Sequence, residues 1–118
     1  MPQDNNNNTP YDIKRNDLAS HVHCDVVGVC GVVTLDRPHA LNALNDDMAW
    51  SLYETFKRWK NDPAVGHVVL SSSSSRAFCA GGDIRQVRDS ILVGDSHAAE
   101  HFFQGEYLAD LAIAEFGK

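Results

Sequence analysis

Two spacings of apolar residues along the chain predict an alternation of strands and helices. The valine-rich residues 21–35 predict two short strands joined by a turn near residues 25–28. Pro38 forbids a continuing central strand, so the second strand must end at about Asp36. A short apolar run at residues 67–71 predicts a further strand, and the serine run after it indicates an exposed loop.

Three segments carry the signals of helices. The first is predicted over residues 46–60 with Asn45 as its N-cap, and its apolar stripe, Met48, Leu52, Phe56 and Trp59, indicates core packing. The second follows Asp83 as a cap and closes near Gly94. The third runs from about His97 to Ala114 after a cap at Asp95 or Ser96, with Phe102, Phe103, Tyr107, Leu108, Leu111 and Ala112 as its apolar side. Strand, helix, strand, helix, helix is an α/β order.

Charge and composition narrow the classes of partner. The 118 residues carry a formal net charge of −6, which offers no broad basic field, so we expect no nucleic-acid partner. The apolar runs are too short for a membrane span and the first residues lack the apolar core of a signal peptide, so we expect no membrane partner and a cytoplasmic location. Residues 1–18 are polar and asparagine-rich and predict a disordered tail, which leaves residues 19–118 as one domain segment.

The cysteines and histidines of the sequence give little support for a metal site or a disulfide. The three cysteines are odd in number and form no CxxC pair, so we interpret them as free thiols. "HVHC" at residues 21–24 is either a ligand group or, as we favour, a strand with polar outward residues. His97 and His101 have the spacing of a metal pair but no identifiable third ligand, so a solvated helix face is the better interpretation.

The stretch "AFCAGGDI" at residues 77–84 is the strongest candidate for chemistry. A chain that passes through this turn into a helix places the amides of Gly81, Gly82 and Asp83 at a positive helix N-terminus, where they can face an anion or a developing oxyanion. Absent side chains let a ligand approach the backbone. A P-loop and a dinucleotide fingerprint are excluded by sequence, whereas a plain tight turn remains the alternative.

"VVTLDRPHALNAL" at residues 32–44, followed by "AFCAGGDI", resembles the two N-terminal signatures of the crotonase superfamily, the enoyl-CoA hydratase/isomerase family. The resemblance implies an α/β, ClpP/crotonase-like fold of ββα repeats, of which residues 19–118 would be an incomplete N-terminal segment. "GGDIR" together with "FFQGEYLADLAI" at residues 102–113 is more similar to the 3-hydroxyisobutyryl-CoA hydrolases of valine catabolism than to ordinary hydratases.

The resemblance also implies roles for particular residues. Gly82 would donate its backbone N–H to the thioester oxygen as one of two oxyanion-hole donors, and Asp83 would brace the turn. Coenzyme A would arrive as part of the substrate, with no permanently bound cofactor. The implied coenzyme A-binding positions are Arg37, His39, Ala40, Ala80, Gly81 and Asp83. Arg76, Arg85 and Arg88 either hold the phosphates of coenzyme A or are exposed charges.

Family members run well beyond this length, and their second oxyanion glycine and catalytic carboxylates would follow Lys118. Glu106 and Glu115 match no catalytic position of the family and are interpreted as surface or helix-face residues. The resemblance therefore implies an acyl-CoA thioester hydrolase whose first motifs lie here, and it predicts little turnover by these residues alone. An enoyl-CoA hydratase/isomerase and an inactive coenzyme A-binding or assembly module are the alternatives. We expect a homo-oligomer or association with the C-terminal part.

Overall fold

A three-stranded sheet and its crossover helix form the framework of the computed structural model, which describes residues 21–118. The central strand β2 pairs antiparallel with β1 and parallel with β3. Parallel neighbours need a crossover, and helix α1 supplies it. The elements in chain order are β1 (Val22–Val27), β2 (Cys30–Leu35), α1 (Asp46–Lys60), β3 (His67–Ser72), α2 (Ile84–Leu92) and α3 (Ser96–Ala114). The predicted α/β class is confirmed, whereas the predicted tail, residues 1–18, lies outside the described residues.

The β1–β2 hairpin turns later than the sequence suggested. Asp25 lies within β1 opposite Val32, and Val27 pairs with Cys30, so only two residues form the turn. Gly28 is the first of them and has φ +64°. A positive φ at the first of two turn residues suits the right-handed twist of a hairpin and favours glycine. The predicted turn near residues 25–28 was therefore placed too early, because only Gly28 of these four residues lies in the turn and the others belong to β1.

Helix α1 has the predicted bounds and carries most of the core. Asn45 caps it, because its Oδ1 accepts the N–H of Met48 at 2.9 Å. All four residues of the predicted apolar stripe are at most 5% exposed and pack against Val33 and Leu35 of the sheet. At the C-terminal end of α1, the Trp59 ring lies directly over Gly31 of β2. A side chain at position 31 would collide with this ring, so only glycine fits there.

Helix α3 packs through a face that only partly matches the predicted apolar side, of which Phe102 is buried and Ala112 packs against the core. Ala99, Phe102, Gly105 and Ala109 are buried, whereas Phe103 is 53% exposed. A Cβ on Gly105 would collide with the indole of Trp50 on α1, so close approach of the two helices selects the side with small residues. Because α3 is apolar on most of its circumference, periodicity could not identify the contacting face.

His101 is also placed differently from the expected solvated face. Its Nδ1 lies 2.9 Å from Oδ1 of Asp46, and its ring stacks on Trp50 with centroids 4.7 Å apart. His97 is exposed, as expected. Among residues 21–118 no group of three His, Cys, Asp or Glu side chains is arranged to hold a metal ion. His101 thus joins α3 to the first turn of α1.

Helix α2 leaves much of its apolar surface uncovered. Val87 is buried, but Ile84 and Leu92 are 80% and 75% exposed. Contiguous apolar surface of this kind is typical of a face that packs against further protein. Within the described part of the chain no helix is both long enough and apolar enough to cross a membrane.

Replacing Gly31 by alanine tests the contact that sets the distance between sheet and helix. A Cβ there would lie 2.5 Å from Cζ3 of Trp59, so Gly31→Ala should lower the free energy of unfolding by about 1–3 kcal/mol. Gly66→Ala is the matched control, since its Cβ meets nothing closer than 3.6 Å and should change stability by less than about 0.5 kcal/mol. Urea unfolding followed by tryptophan fluorescence measures both, and equal stabilities would contradict the packing described.

Candidate functional site

Two loops distant in sequence are held side by side by the backbone. Leu44 donates its N–H to the carbonyl oxygen of Gly81 at 2.7 Å and accepts the N–H of Asp83 at 2.8 Å. Three residues earlier in the same loop, the carbonyl oxygen of Leu41 accepts the N–H of Ala80 at 3.0 Å. The pairing of Leu44 with the residues flanking Gly82 is a single parallel β-bridge.

This bridge determines where the amide of Gly82 points. In a parallel bridge the residue between the two bonded neighbours turns its own N–H and C=O away from the partner strand. Accordingly, no residue in the described range 21–118 accepts a hydrogen bond from the Gly82 N–H, and Gly82 lines an open cleft. The fold therefore holds a backbone donor that is turned away from Leu44 and belongs to a residue lining the cleft, immediately before α2.

The two glycines are required for different reasons. Gly81 has φ +91°, a conformation that side chains disfavour. Gly82 has no such φ, but a Cβ there would lie 2.5 Å from Oε2 of Glu106 and 3.3 Å from Cζ of Phe102. Glu106 was interpreted from sequence as a surface or helix-face residue, and it is a partly exposed residue of α3. Its position beside the candidate donor is a proximity that no spacing along the chain could reveal.

The cleft has a volume of about 980 Å³ and collects most of the predicted site. Gly81 is the one predicted position that is not among the residues lining the cleft. Its carbonyl oxygen accepts the N–H of Leu44. Of the three arginines with open roles, Arg85 lines the cleft, Arg88 pairs with Asp89 at 3.1 Å, and Arg76 is exposed and is not among the lining residues. The predicted site residues that line the cleft are Arg37, His39, Ala40, Ala80, Gly82 and Asp83. Their proximity is a structural fact, and their roles in binding and catalysis stay predictions.

Arg37 and Asp83 form an ion pair across the two loops. Nη1 of Arg37 lies 2.9 Å from Oδ2 of Asp83 and also donates to the carbonyl oxygen of Ala43 at 2.9 Å. Oδ1 of Asp83 meanwhile caps α2 by accepting from the N–H groups of Arg85 and Gln86. Burial acts to raise the pKa of Asp83, but the hydrogen bonds from Arg37 and the backbone hold that pKa below its ordinary value. Asp83 thus braces the turn that presents Gly82.

Asn42 is an organising residue that sequence reasoning missed. It is fully buried and has φ +58°, a conformation that asparagine tolerates better than most residues. Its Oδ1 accepts the N–H of Arg37 at 2.7 Å, and its Nδ2 donates to Oγ of Ser72 and to the carbonyl oxygen of Phe78. The side chain ties the first loop to the end of β3. An asparagine in a proline-containing loop was the only available signal.

Comparison with known proteins identifies the relatives of this arrangement. The family model for enoyl-CoA hydratase/isomerase matches residues 30–118. The mitochondrial 3-hydroxyisobutyryl-CoA hydrolase of Xenopus laevis is 48% identical over 86 residues, which are 73% of this chain and 22% of that protein. The human mitochondrial protein of the same name is 35% identical over 105 residues, covering 89% of this chain and 27% of that protein. The chain therefore spans about a quarter of the length of these curated relatives.

Solved structures share the fold. An enoyl-CoA hydratase from Rhodobacter sphaeroides superposes with a TM-score of 0.77 at 38% identity, over 83% of this chain and 29% of that chain. A carnitinyl-CoA dehydratase from Mycobacterium thermoresistibile also gives 0.77, at 34% identity over 83% of this chain and 28% of that chain. The resemblance stated from the two sequence signatures is confirmed.

The expected cytoplasmic location is wrong. The Xenopus and human relatives are both mitochondrial proteins, which points away from the cytoplasm. The expectation rested on the lack of a secretory apolar core, and mitochondrial import depends on a different, amphipathic signal.

Asp83→Asn tests the electrostatic brace. The pKa of Asp83 is depressed from its ordinary 3.8, so the stability gained from its ionised form is present above that pH and is lost as the pH falls through the lower folded-state pKa. We expect the variant, which keeps a helix cap, to unfold more easily than the parent at neutral pH, with the difference vanishing in strong acid. Urea unfolding at a series of pH values measures it, with Asp110→Asn as an exposed control. A difference independent of pH would contradict the depressed pKa.

Proposed function

Because the chain belongs to the enoyl-CoA hydratase/isomerase family, we propose that it is the N-terminal part of an acyl-CoA thioester hydrolase of the 3-hydroxyisobutyryl-CoA hydrolase type. The family contains CoA-thioester hydrolases and enoyl-CoA hydratases. The observation that carries the proposal is the N–H of Gly82, which lacks an acceptor in residues 21–118, is turned away from Leu44 by the bridge, and belongs to a residue that lines the cleft. Coenzyme A enters this site as part of the substrate.

The chemistry of thioester hydrolysis needs such a donor. Water attacks the carbonyl carbon, the carbon–sulfur bond breaks, and coenzyme A leaves as a thiol after taking up a proton. Negative charge develops on the carbonyl oxygen during the attack. A fixed N–H stabilises that charge more than it stabilises the neutral substrate, and it thereby lowers the barrier.

The rest of the machinery lies, on this proposal, in sequence that follows Lys118. An oxyanion hole uses two donors, and the attacking water needs a carboxylate that removes its proton. Gly82 supplies one donor. The exposed apolar surface of α2 supports the proposal, since it is suited to packing against a further part of the protein or another subunit.

The choice of hydrolase over hydratase rests on the curated relatives. The Gly82 donor serves either reaction, because hydration of an enoyl thioester also places negative charge on the carbonyl oxygen. The hydratase alternative is favoured by the fold neighbours, and an inactive coenzyme A-binding or assembly module remains the alternative from another class. For the hydrolase we propose a mitochondrial location, like that of the named relatives.

Two assays on one preparation of the full-length gene product distinguish these functions. Hydrolysis of 3-hydroxyisobutyryl-CoA without hydration of crotonyl-CoA is the expected result, and the reverse pattern would establish the hydratase. Residues 1–118 expressed alone, with their mass verified, should show little or no turnover of either thioester. Hydrolysis by that fragment at a rate typical of enzymes would contradict the proposal that later sequence completes the site.

An ester bond at residue 82 tests the donor directly. Incorporating glycolic acid in place of Gly82 exchanges the N–H for an oxygen and leaves the side-chain space unchanged. We expect kcat to fall on the order of 10²- to 10³-fold while KM changes little. The same replacement at Gly81 is the matched control, since that N–H faces only the Cys79 sulfur at 3.4 Å. Equal effects at the two positions would overturn the assignment of Gly82.

A further inference from the structure

The bridge at Leu44 stops one hydrogen bond short of its regular continuation. Its two bonds link Leu44 to Gly81 and to Asp83. In a regular parallel ladder the next bond would run from the N–H of Asp46 to the carbonyl oxygen of Asp83. That oxygen instead accepts the N–H of Gln86 at 3.2 Å in the first turn of α2. Helix α2 therefore begins where the third bond of the ladder would lie.

The side chain of Gln86 supplies the missing bond. Its Oε1 accepts the N–H of Asp46 at 2.8 Å, so a carboxamide oxygen takes the place of the backbone carbonyl. Only the oxygen of a carboxamide can accept a hydrogen bond, and this fixes which end of the Gln86 amide faces α1. Asp46 is the first residue of α1, where the N–H groups have no partner within the helix, so the bond also satisfies a donor on a buried residue.

The anchor at Asp46 is itself held in place. Asp46 is buried, and its carboxyl oxygens lie 2.9 Å and 3.0 Å from Nδ1 of His101 on α3. Gln86, by contrast, is partly exposed and belongs to the wall of the cleft. The bond therefore joins a residue of the cleft wall to a fixed point between α1 and α3.

Helix α2 has little apolar packing to hold it against α1. Among residues 84–92, all of them described, only Val87 is buried, and it packs in a cluster with residues of α3. Three polar links tie the start of α2 to the preceding part of the chain: the bridge at Leu44, the Arg37–Asp83 ion pair and the Gln86 bond. Of these three, only the Gln86 bond reaches α1 itself.

We infer that Gln86 is a positioning residue for the Gly82 donor. This inference rests on the proposed function and adds to it a residue that acts through the Gly82 amide. The bridge orients the amide, and the Gln86 bond stops the first turn of α2 from pivoting about that single bridge. Without this bond α2 can tilt relative to α1, and the Asp83 cap that directly follows Gly82 tilts with it. A displacement of about 1 Å at a reacting group is enough to slow a reaction strongly.

The test is a double-mutant cycle on the full-length protein, between Gln86→Met and the ester replacement at residue 82. Methionine keeps the length and helix propensity of the side chain but is only a weak acceptor. Alone, Gln86→Met should lower kcat on the order of tenfold and change KM little, because the predicted coenzyme A-binding positions are unchanged. In protein that carries the ester it should lower kcat no further, because no N–H remains there to be positioned. Gln104→Met, the same exchange at an exposed position of α3, should leave kcat unchanged in both backgrounds.

A second measurement is independent of activity. Amide hydrogen exchange resolved at residue 46 should be faster in Gln86→Met than in the parent, because the Asp46 N–H loses its acceptor. Equal exchange rates in the two proteins would show that the bond does not protect this amide in solution, and would overturn the inference.

The kinetic outcomes separate the inference from the function beneath it. The cycle uses 3-hydroxyisobutyryl-CoA, or crotonyl-CoA if the protein proves to be a hydratase, since the donor serves both reactions. A parent active on neither thioester overturns the proposed function, and the inference falls with it. An active parent whose kcat is unchanged by Gln86→Met, or by the shorter Gln86→Asn if the methionine variant does not fold, overturns the inference alone. A loss that multiplies with that of the ester would also overturn it, because it would show a role independent of the Gly82 amide.

Discussion

Both backbone hydrogen-bonding groups of Leu44 are directed at the segment around Gly82, and the site depends on this bridge. Because Leu44 bonds to Gly81 and Asp83, the amide between them has to point away from it. The side chains around the bridge maintain it. Asn42 fixes the loop that carries Leu44 to the end of β3, and the Arg37–Asp83 pair links this loop to the cap of α2. A backbone donor thereby becomes a rigid feature without any side chain of its own.

The proposed site would hold coenzyme A and the carbonyl oxygen, and the rest of its boundary lies outside the described residues. The chain spans about a quarter of the mitochondrial hydrolases that it matches, and α2 exposes Leu92 as well as Ile84, which lines the cleft. These two facts agree, because a partial site and an uncovered apolar helix face both call for more protein at the same place. Within the described residues, Glu106 places a carboxyl beside Gly82.

Local physical signals explain which parts could be predicted from sequence. Helix α1 was predicted residue for residue because a capping asparagine, a first turn of acidic residues and an apolar stripe all agree there. The cap of α2 by Asp83 could be predicted from sequence in the same way. The face of α3 that contacts α1 could not be predicted from sequence. Whether Phe103 or Gly105 faces α1 depends on the position of Trp50 on that helix. Asn42 and Glu106 were missed for the same reason, since their importance comes from neighbours far away in sequence.

The crossover that joins β2 to β3 also has a consequence for the order of folding. The loop with Leu44 and the loop with Gly82 are separated in sequence by α1 and β3, so their bridge is a non-local contact, as is the parallel pairing of β2 with β3. Closing such a non-local pairing carries an entropic cost that local helix formation does not. We therefore expect the bridge, and with it the orientation of the Gly82 amide, to form after the local structure of α1. A nascent chain would then hold a native hairpin and a native helix before the two loops meet.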